Sequence, residues 1–247
     1  MNYNILINKH ERIDDLHRKG YKIIQNSKSF CFGIDAVILS NFVNLKKNQT
    51  LIDLGTGTGI IPILVEARTN GKYFIGIDIQ KEIVEMAKRS INLNKLSHKI
   101  LIEECDIKNA YNNYKNQHFD VVTSNPPYMK NNIGFKNKFT PKAIARHEIL
   151  CNIDDVISNA SKLLKTGGKF YMVHRPNRLS DIIITLTKYN LEPKKIRFVH
   201  SYKTDEPFII LIESIKDAKS SVKILPPLIV YNNNGKFTEE LYKIYYE

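Results

Sequence analysis

An apolar, β-branched run, Thr50-Leu51-Ile52-Asp53-Leu54, passes directly into Gly55-Thr56-Gly57-Thr58-Gly59 and then Ile60-Ile61-Pro62-Ile63-Leu64-Val65-Glu66-Ala67. The order is buried strand, glycine turn, helix, with Pro62 tolerable in the first helical turn. Glycines permit positive φ and let a ligand come close to the backbone. That order belongs at the ligand end of a doubly wound α/β sheet. The spacing is G-x-G-x-G, whereas dinucleotide enzymes use G-x-G-x-x-G. A carboxylate at Asp53 is also unwelcome beside a pyrophosphate and suits a ligand that carries an amino group.

The following segments repeat the pattern. Residues 73–78 predict a second strand that ends in Asp78, an acid at the C-terminal edge of the neighbouring strand, where it can accept both hydroxyls of a ribose. A crossover helix over 81–94 carries Ile83, Val84, Ala87 and Ile91 on one face. Residues 99–103 predict a third strand, followed by Asp106 and Ile107. Asp106 can accept a hydrogen bond from the exocyclic amine of an adenine while Ile107 packs on the ring. Residues 119–124 end a buried strand that meets Asn125-Pro126-Pro127-Tyr128. Two prolines fix φ and bar helical geometry, so the chain leaves the sheet as a stiff, extended turn. An amide, a proline carbonyl and an aromatic face then converge on one point, which suits a planar, amine-bearing group. Asn-Pro is also an ordinary turn initiator. Asp53, Asp78, Asp106 and Asn125 at successive strand ends describe a ligand crevice.

Before the glycine turn, residues 9–29 are polar and mixed, with a short strand over 21–25. A helix over 36–42 has Asp35 as its N-cap; a second role for Asp35, lining the ligand pocket, follows from the glycine loop close behind. After the diproline turn, residues 129–142 interleave Lys130, Lys136, Lys138 and Lys142 with Phe135 and Phe139. That mixture suits a nucleic-acid contact or a solvated lid. His147, between Arg146 and Glu148, is either a substrate contact or a surface residue. A helix over 153–164 is closed by Gly167-Gly168, and 170–174 forms a fifth strand. A helix over 179–189 precedes strands at 196–199 and 208–212, which pair antiparallel across a short polar loop. A turn at 232–235 leads into an amphipathic helix from Thr238. No repeat or flexible linker interrupts the chain, so 1–247 reads as one domain: an N-terminal extension (1–29), a core (30–215) and a C-terminal extension (216–247).

The net charge of +12 points to a polyanionic partner, most plausibly nucleic acid. Of the 37 cations only 8 are Arg, so an AT-rich coding bias toward Lys is the competing explanation. Cys31, Cys105 and Cys151 are widely spaced, with no Cys/His cluster, and read as reduced thiols of a cytoplasmic protein without a metal site. The N-terminus lacks a signal-peptide segment, and no apolar run reaches membrane-spanning length.

Five alternating αβ strands followed by an antiparallel pair resemble the Rossmann-like class I methyltransferase fold. That fold has a seven-stranded, mostly parallel sheet, helices on both faces and an antiparallel last strand, and it uses S-adenosylmethionine. Asp53-Leu-Gly-Thr-Gly-Thr-Gly59 is similar to its first motif, Asp78 (followed by Ile79) to its ribose-binding acid, and Asp106-Ile107 to its adenine-binding pair. Asn125-Pro126-Pro127-Tyr128 matches the signature of methyltransferases acting on planar amino groups. Within that class the chain resembles the small tRNA adenine-N6 methyltransferases, which modify the adenosine 3′ to the anticodon of a valine tRNA. The similar pieces are Ile-Ile-Gln25, Phe-Gly-Ile-Asp35-Ala, Ala-Arg146-His-Glu148, Pro226-Pro-Leu-Ile-Val-Tyr231 and Gly235-Lys-Phe-Thr-Glu-Glu-Leu. The resemblance implies cofactor contacts from Asp35, Asp53, Gly55, Gly57, Gly59, Asp78, Ile79, Asp106, Ile107 and Asn125. It implies catalysis by Asn125, Pro126 and Tyr128, and substrate contacts from Pro127, Tyr128, Lys130, Lys136, Lys138, Arg146 and His147.

Two other acceptors share the motif: a glutamine side chain of a peptide release factor, and guanine N2 of ribosomal RNA. Release-factor enzymes carry a helical recognition domain, and the chain ahead of Asp53 is too short to build one. A nicotinamide oxidoreductase is disfavoured by the glycine spacing, and a non-catalytic RNA-binding module has no need of the diproline geometry.

Overall fold

A computed structural model describes residues 7–28, 31–126 and 152–247. Its centre is one sheet whose seven long strands are β3 (Thr50–Leu54), β4 (Tyr73–Asp78), β5 (Ile100–Glu104), β6 (Phe119–Ser124), β7 (Leu164–His174), β8 (Leu191–His200) and β9 (Pro207–Lys216). Two short strands, β10 (Lys223–Ile224) and β11 (Leu228–Ile229), pair with β8 at the edge. The long strands lie in the order β8-β9-β7-β6-β3-β4-β5. All are parallel except β9, which runs antiparallel to both β7 and β8. The expected antiparallel last long strand is therefore present.

Period-two alternation sends side chains to two cores, as both faces are covered. Leu51, Phe74, Val121 and Tyr171 enter one core with α1 (Ile34–Phe42), α2 (Ile60–Arg68), α3 (Lys81–Leu93) and the tail helix; Ile52, Ile75, Val122 and Phe170 enter the other. That second layer is α4 (Ala110–Tyr114), α5 (Ile153–Leu163) and α6 (Leu179–Lys188). The tail helix, α7 (Glu239–Tyr246), is capped by the Thr238 hydroxyl, which accepts the Leu241 N–H.

Three sequence expectations are corrected. The N-cap of α1 is Gly33; Asp35 lies inside the first turn, where its carboxylate accepts the Ala36 N–H at 3.0 Å. Gly167 and Gly168 do not close α5. Leu164 caps it, and both glycines lie within β7, where the register against β6 shifts. A strand invisible in the polar sequence, β1 (Glu11–Asp15), forms a hairpin with β2 (Lys22–Asn26). The hairpin buries Ile23 and Ile24 completely, the Ile24 N–H bonds the Ser90 hydroxyl at 3.0 Å, and Glu11 takes two hydrogen bonds from Arg89. Buried Arg18 donates to the carbonyls of Lys243 and Ile244, so hairpin and tail helix clasp one another.

Gly76 of β4 shows how the sheet admits the glycine turn. A Cβ there would lie 2.7 Å from Thr56 Oγ1 and 2.8 Å from Ile102 Cδ1. Gly76→Ala should cost about 1–3 kcal/mol by overpacking, read as a lower urea midpoint. A wild-type midpoint would mean that the turn can move aside.

Candidate active site

The carboxyl ends of β3, β4, β5 and β6 carry the groups that the sequence singles out. β3 turns through Gly55, Gly57 and Gly59, which have φ of +75°, +54° and +80°. Glycine adopts such values at no steric cost. The Gly55 and Thr56 N–H groups bond the Ile77 carbonyl at 3.0 and 2.8 Å, stitching the turn to β4. A Cβ on Gly57 would meet nothing within 4 Å, so the turn faces open space there; a Cβ on Gly59 would touch Ala87 and Ile102. Gly57 is thus placed for ligand approach and Gly59 for packing.

Asp78 ends β4 and is bound to the turn. Its Oδ2 accepts the Gly57 N–H at 3.0 Å and its Oδ1 the Gln80 N–H at 3.0 Å. The Gln80 side-chain amide also donates to Oδ1, at 3.3 Å. Of the roughly four lone-pair sites of a carboxylate, one on Oδ2 then remains for a hydroxyl donor, and a second opens if the long Gln80 side-chain bond gives way. Ile79 beside it is partly exposed. Past the end of β5, Asp106 accepts the Lys108 N–H at 2.9 Å and caps the short 3-10 turn Ile107–Asn109. That cap points Ile107 toward the glycine turn, its Cδ1 3.6 Å from where a Gly55 Cβ would stand. Asn125, half-buried, follows one residue beyond the Leu54–Ser124 pair, and the Ser124 hydroxyl donates to the Leu54 carbonyl at 2.9 Å. Pro126 is buried behind it. Asp35 lies in the first turn of α1, and the tail's Tyr245 feels its charge. Pro127, Tyr128, Lys130, Lys136, Lys138, Lys142, Arg146 and His147 lie outside the described residues, as does Cys151.

Asp53 stands apart from the other acids of the edge. It is completely enclosed, which the strand pattern could not reveal, and its Oδ1 accepts the Thr123 hydroxyl at 2.6 Å. Oδ2 and the Thr56 hydroxyl oxygen are both buried and neighbour each other, without a well-formed hydrogen bond to any described residue. Burial pushes the carboxyl up to about 7, opposed by the Thr123 and Thr56 hydroxyls and assisted by the nearby Asp78 charge. An unfolded aspartate ionises near 3.8, so between these values the folded form holds the extra proton. Stability of the ligand-free protein should therefore fall as pH rises from about 4 to about 7. Asp53→Asn should flatten that slope in urea titrations at several pH values; an unaltered slope would place its origin elsewhere.

A ligand carrying an ammonium group, ribose and adenine fits this edge. A buried carboxylate oxygen with no well-formed hydrogen bond lies beneath the turn, the turn is open at Gly57, an acid with acceptor capacity left on Oδ2 ends β4, and an apolar side chain follows β5. Among the described residues no group of three or more His, Cys, Asp or Glu could hold a metal ion, and no helix is long and apolar enough to cross a membrane.

Two further groups were not singled out by the sequence. His174, at the end of β7 beside β6, is 2% exposed, and its Nδ1 accepts the Arg175 N–H at 2.8 Å. Burial, with the charges of Arg178 and Arg175, pushes it down to about 4, so it is neutral at physiological pH. Arg175, exposed, donates from Nη1 to the Phe208 carbonyl at 2.9 Å. No motif marks either residue; only the strand register brings them to this edge.

Comparison with known proteins agrees with this geometry. Curated relatives include tRNA1(Val) (adenine(37)-N6)-methyltransferases of Porphyromonas gingivalis, 26% identical over 92% of this chain and 91% of the relative, and of Phocaeicola vulgatus, 26% identical over 78% and 80%. Among solved structures, a predicted O-methyltransferase from Agrobacterium tumefaciens superposes with a TM-score of 0.69 at 22% identity, over 85% of this chain and 94% of the other. That last likeness is one of fold. A family model described as a methyltransferase domain matches residues 45–227. The chain belongs to the methyltransferase domain family.

Proposed function

We propose that the protein transfers a methyl group from S-adenosylmethionine to the exocyclic N6 amine of an adenosine in tRNA, the one 3′ to the anticodon of a valine tRNA. The observation that carries this reading is the shared edge of the sheet. An open glycine cradle, the Asp78 carboxylate and the Asn125-Pro126 corner all end adjacent parallel strands. The likeness to curated enzymes with that activity, over most of both chains, supports the choice of acceptor.

S-adenosylmethionine, when bound, supplies an electrophilic sulfonium methyl. Gly55 and Gly57 would admit it to the backbone, Asp78 would accept its ribose hydroxyls, and Asp106 with Ile107 and Ile79 would hold its adenine. Asp35 would line the far side. Asp53 would act on its ammonium group through the turn by charge, and Gly59 would hold the turn's shape. Because Asp53 must ionise to do so, cofactor affinity should rise with pH through about 7 in the wild type but not in Asp53→Asn.

On the substrate side, the amine's lone pair is delocalised into the purine ring, which makes N6 a poor nucleophile. The Asn125 side-chain oxygen and the Pro126 carbonyl would accept its two N–H bonds and draw the nitrogen toward tetrahedral geometry. Tyr128 would stack on the base, unpaired or flipped from the loop, with Pro127 setting its angle. Lys130, Lys136, Lys138, Arg146 and His147 would meet the RNA. Positioning and preorganised acceptors then carry the catalysis, with no dedicated general base. The described residues hold the core and both extensions in one set of packed layers, which supports a single domain. The proposed enzyme acts as a monomer in the cytoplasm.

The test is transfer of labelled methyl groups into total tRNA, ribosomal RNA and release factor in parallel, followed by nucleoside analysis. The expected product is N6-methyladenosine in tRNA alone. Label in release factor alone would replace this reading with glutamine methylation.

A further inference from the structure

The β8–β9 hairpin rises above the site. His174 ends β7 level with Ile210, whereas β9 begins at Pro207, paired with His200 of β8. The hairpin tip, residues 201–206, thus stands at least three residues, roughly 10 Å, beyond the end of β7. It does so on the same edge as Asn125, because β8, β7 and β6 all end there. The tip is braced: the His200 ring Nδ1 meets the Asp205 carbonyl at 2.6 Å, and the Tyr231 N–H bonds the Ser201 carbonyl at 2.9 Å.

One face of this wall is aromatic. Tyr202, 40% exposed, lies 5.5 Å from the Tyr231 ring, which lies 5.7 Å from Phe237, itself stacked on Tyr245 at 5.4 Å. Tyr202 is therefore the exposed end of a supported column of rings, held in place before anything binds it. At the foot of the wall, the Phe208 carbonyl accepts a hydrogen bond from the guanidinium of Arg175, which follows β7, the strand between β9 and β6. Strands lie about 4.8 Å apart, so Arg175 is about one strand and Phe208 about two strands from Asn125. At the tip Lys203 is outweighed by Asp205 and Glu206, so the tip is net acidic; this argues against a general polyanion track and leaves ring stacking by Tyr202 and the Arg175 guanidinium as the contacts.

We propose that this wall binds the single-stranded RNA flanking the target adenosine. Tyr202 stacks on a base one or two nucleotides away, and Arg175 takes the intervening phosphate. Base stacking on an exposed ring and a planar guanidinium on phosphate are the chemistry of single-strand recognition. The inference rests on the proposed tRNA substrate and adds to it the side on which the strand leaves the site.

The test measures KM for a valine tRNA transcript and Kd for S-adenosylmethionine with the wild type, Tyr202→Ala, Tyr202→Phe, Arg175→Ala and Arg175→Lys. Tyr202→Ala should raise KM for tRNA roughly five- to hundredfold, the range of one lost stacking contact. Tyr202→Phe should stay near wild type, since the ring and not the hydroxyl does the stacking. Arg175→Ala should raise KM as well, with partial rescue by Lys and a shallower salt dependence. Cofactor Kd should be unchanged throughout. A wild type that methylates tRNA while Tyr202→Ala and Arg175→Ala keep its KM would overturn this inference and leave the proposed function standing. A wild type that transfers no methyl group to tRNA would overturn both.

Discussion

Asn125→Ala should bind S-adenosylmethionine as the wild type does and turn over tRNA roughly a hundred- to a thousandfold more slowly, the scale seen when one preorganised polar group is removed from a reaction centre. The sheet explains why the effect should fall on kcat. Asn125 follows the Leu54–Ser124 pair directly, and its backbone leaves a strand whose last four residues, 121–124, are buried. Removing its amide takes away an acceptor for the amine without disturbing the glycine turn or Asp78, which belong to β3 and β4. Binding is read by calorimetry and turnover by methyl transfer under saturating cofactor. An unchanged kcat would refute the role assigned to Asn125, and a lost cofactor affinity would move it to the other half of the site.

Asp78→Ala should do the reverse. Its two oxygens each accept one backbone N–H, from Gly57 and Gln80, and Oδ1 also takes the Gln80 side-chain amide at 3.3 Å; the free site on Oδ2 and the one this long bond would release are those assigned to the ribose. Hydrogen bonds to a charged acceptor are worth about 1.5–3 kcal/mol each. The variant should therefore bind S-adenosylmethionine at least tenfold more weakly, with kcat at saturation much less affected. Asp78→Asn should fall between, as one oxygen survives. The carboxylate also holds the Gly57 N–H, so the variant should lose some thermal stability even without cofactor. Wild-type affinity in Asp78→Ala would remove this residue from the cofactor site.

Much of this edge is legible in the sequence because strands and turns are local. Thr50–Leu54 and Tyr73–Asp78 follow the expected bounds, since apolar β-branched runs buried on both faces leave no competing pattern. The class I fold, with its single antiparallel long strand, follows from the short polar loop between β8 and β9. What stays hidden depends on distant partners. The strand Glu11-Arg12-Ile13-Asp14-Asp15 has no apolar alternation; its place is set by pairing with β2 and by the Arg89–Glu11 bonds, 78 residues apart. Asp35 reads as a cap because an apolar helix over 36–42 follows it, but the helix starts two residues earlier, at Ile34, which puts Asp35 in its first turn. The enclosure of Asp53 depends on how the turn folds back over β4 at Gly76, where the missing Cβ is the only sequence trace. Arg175 and Tyr202 carry no motif at all, and register alone brings them to the edge.

The most direct measurement is a crystal structure of the protein with S-adenosylhomocysteine. The sulfur should lie over the tips of β3 and β6, separated from the Asn125 amide by little more than one amine nitrogen and one methyl group, roughly 6 Å given contacts of about 3 Å. A sulfur bound far from Asn125, or a protein that takes up no cofactor at all, would contradict the account.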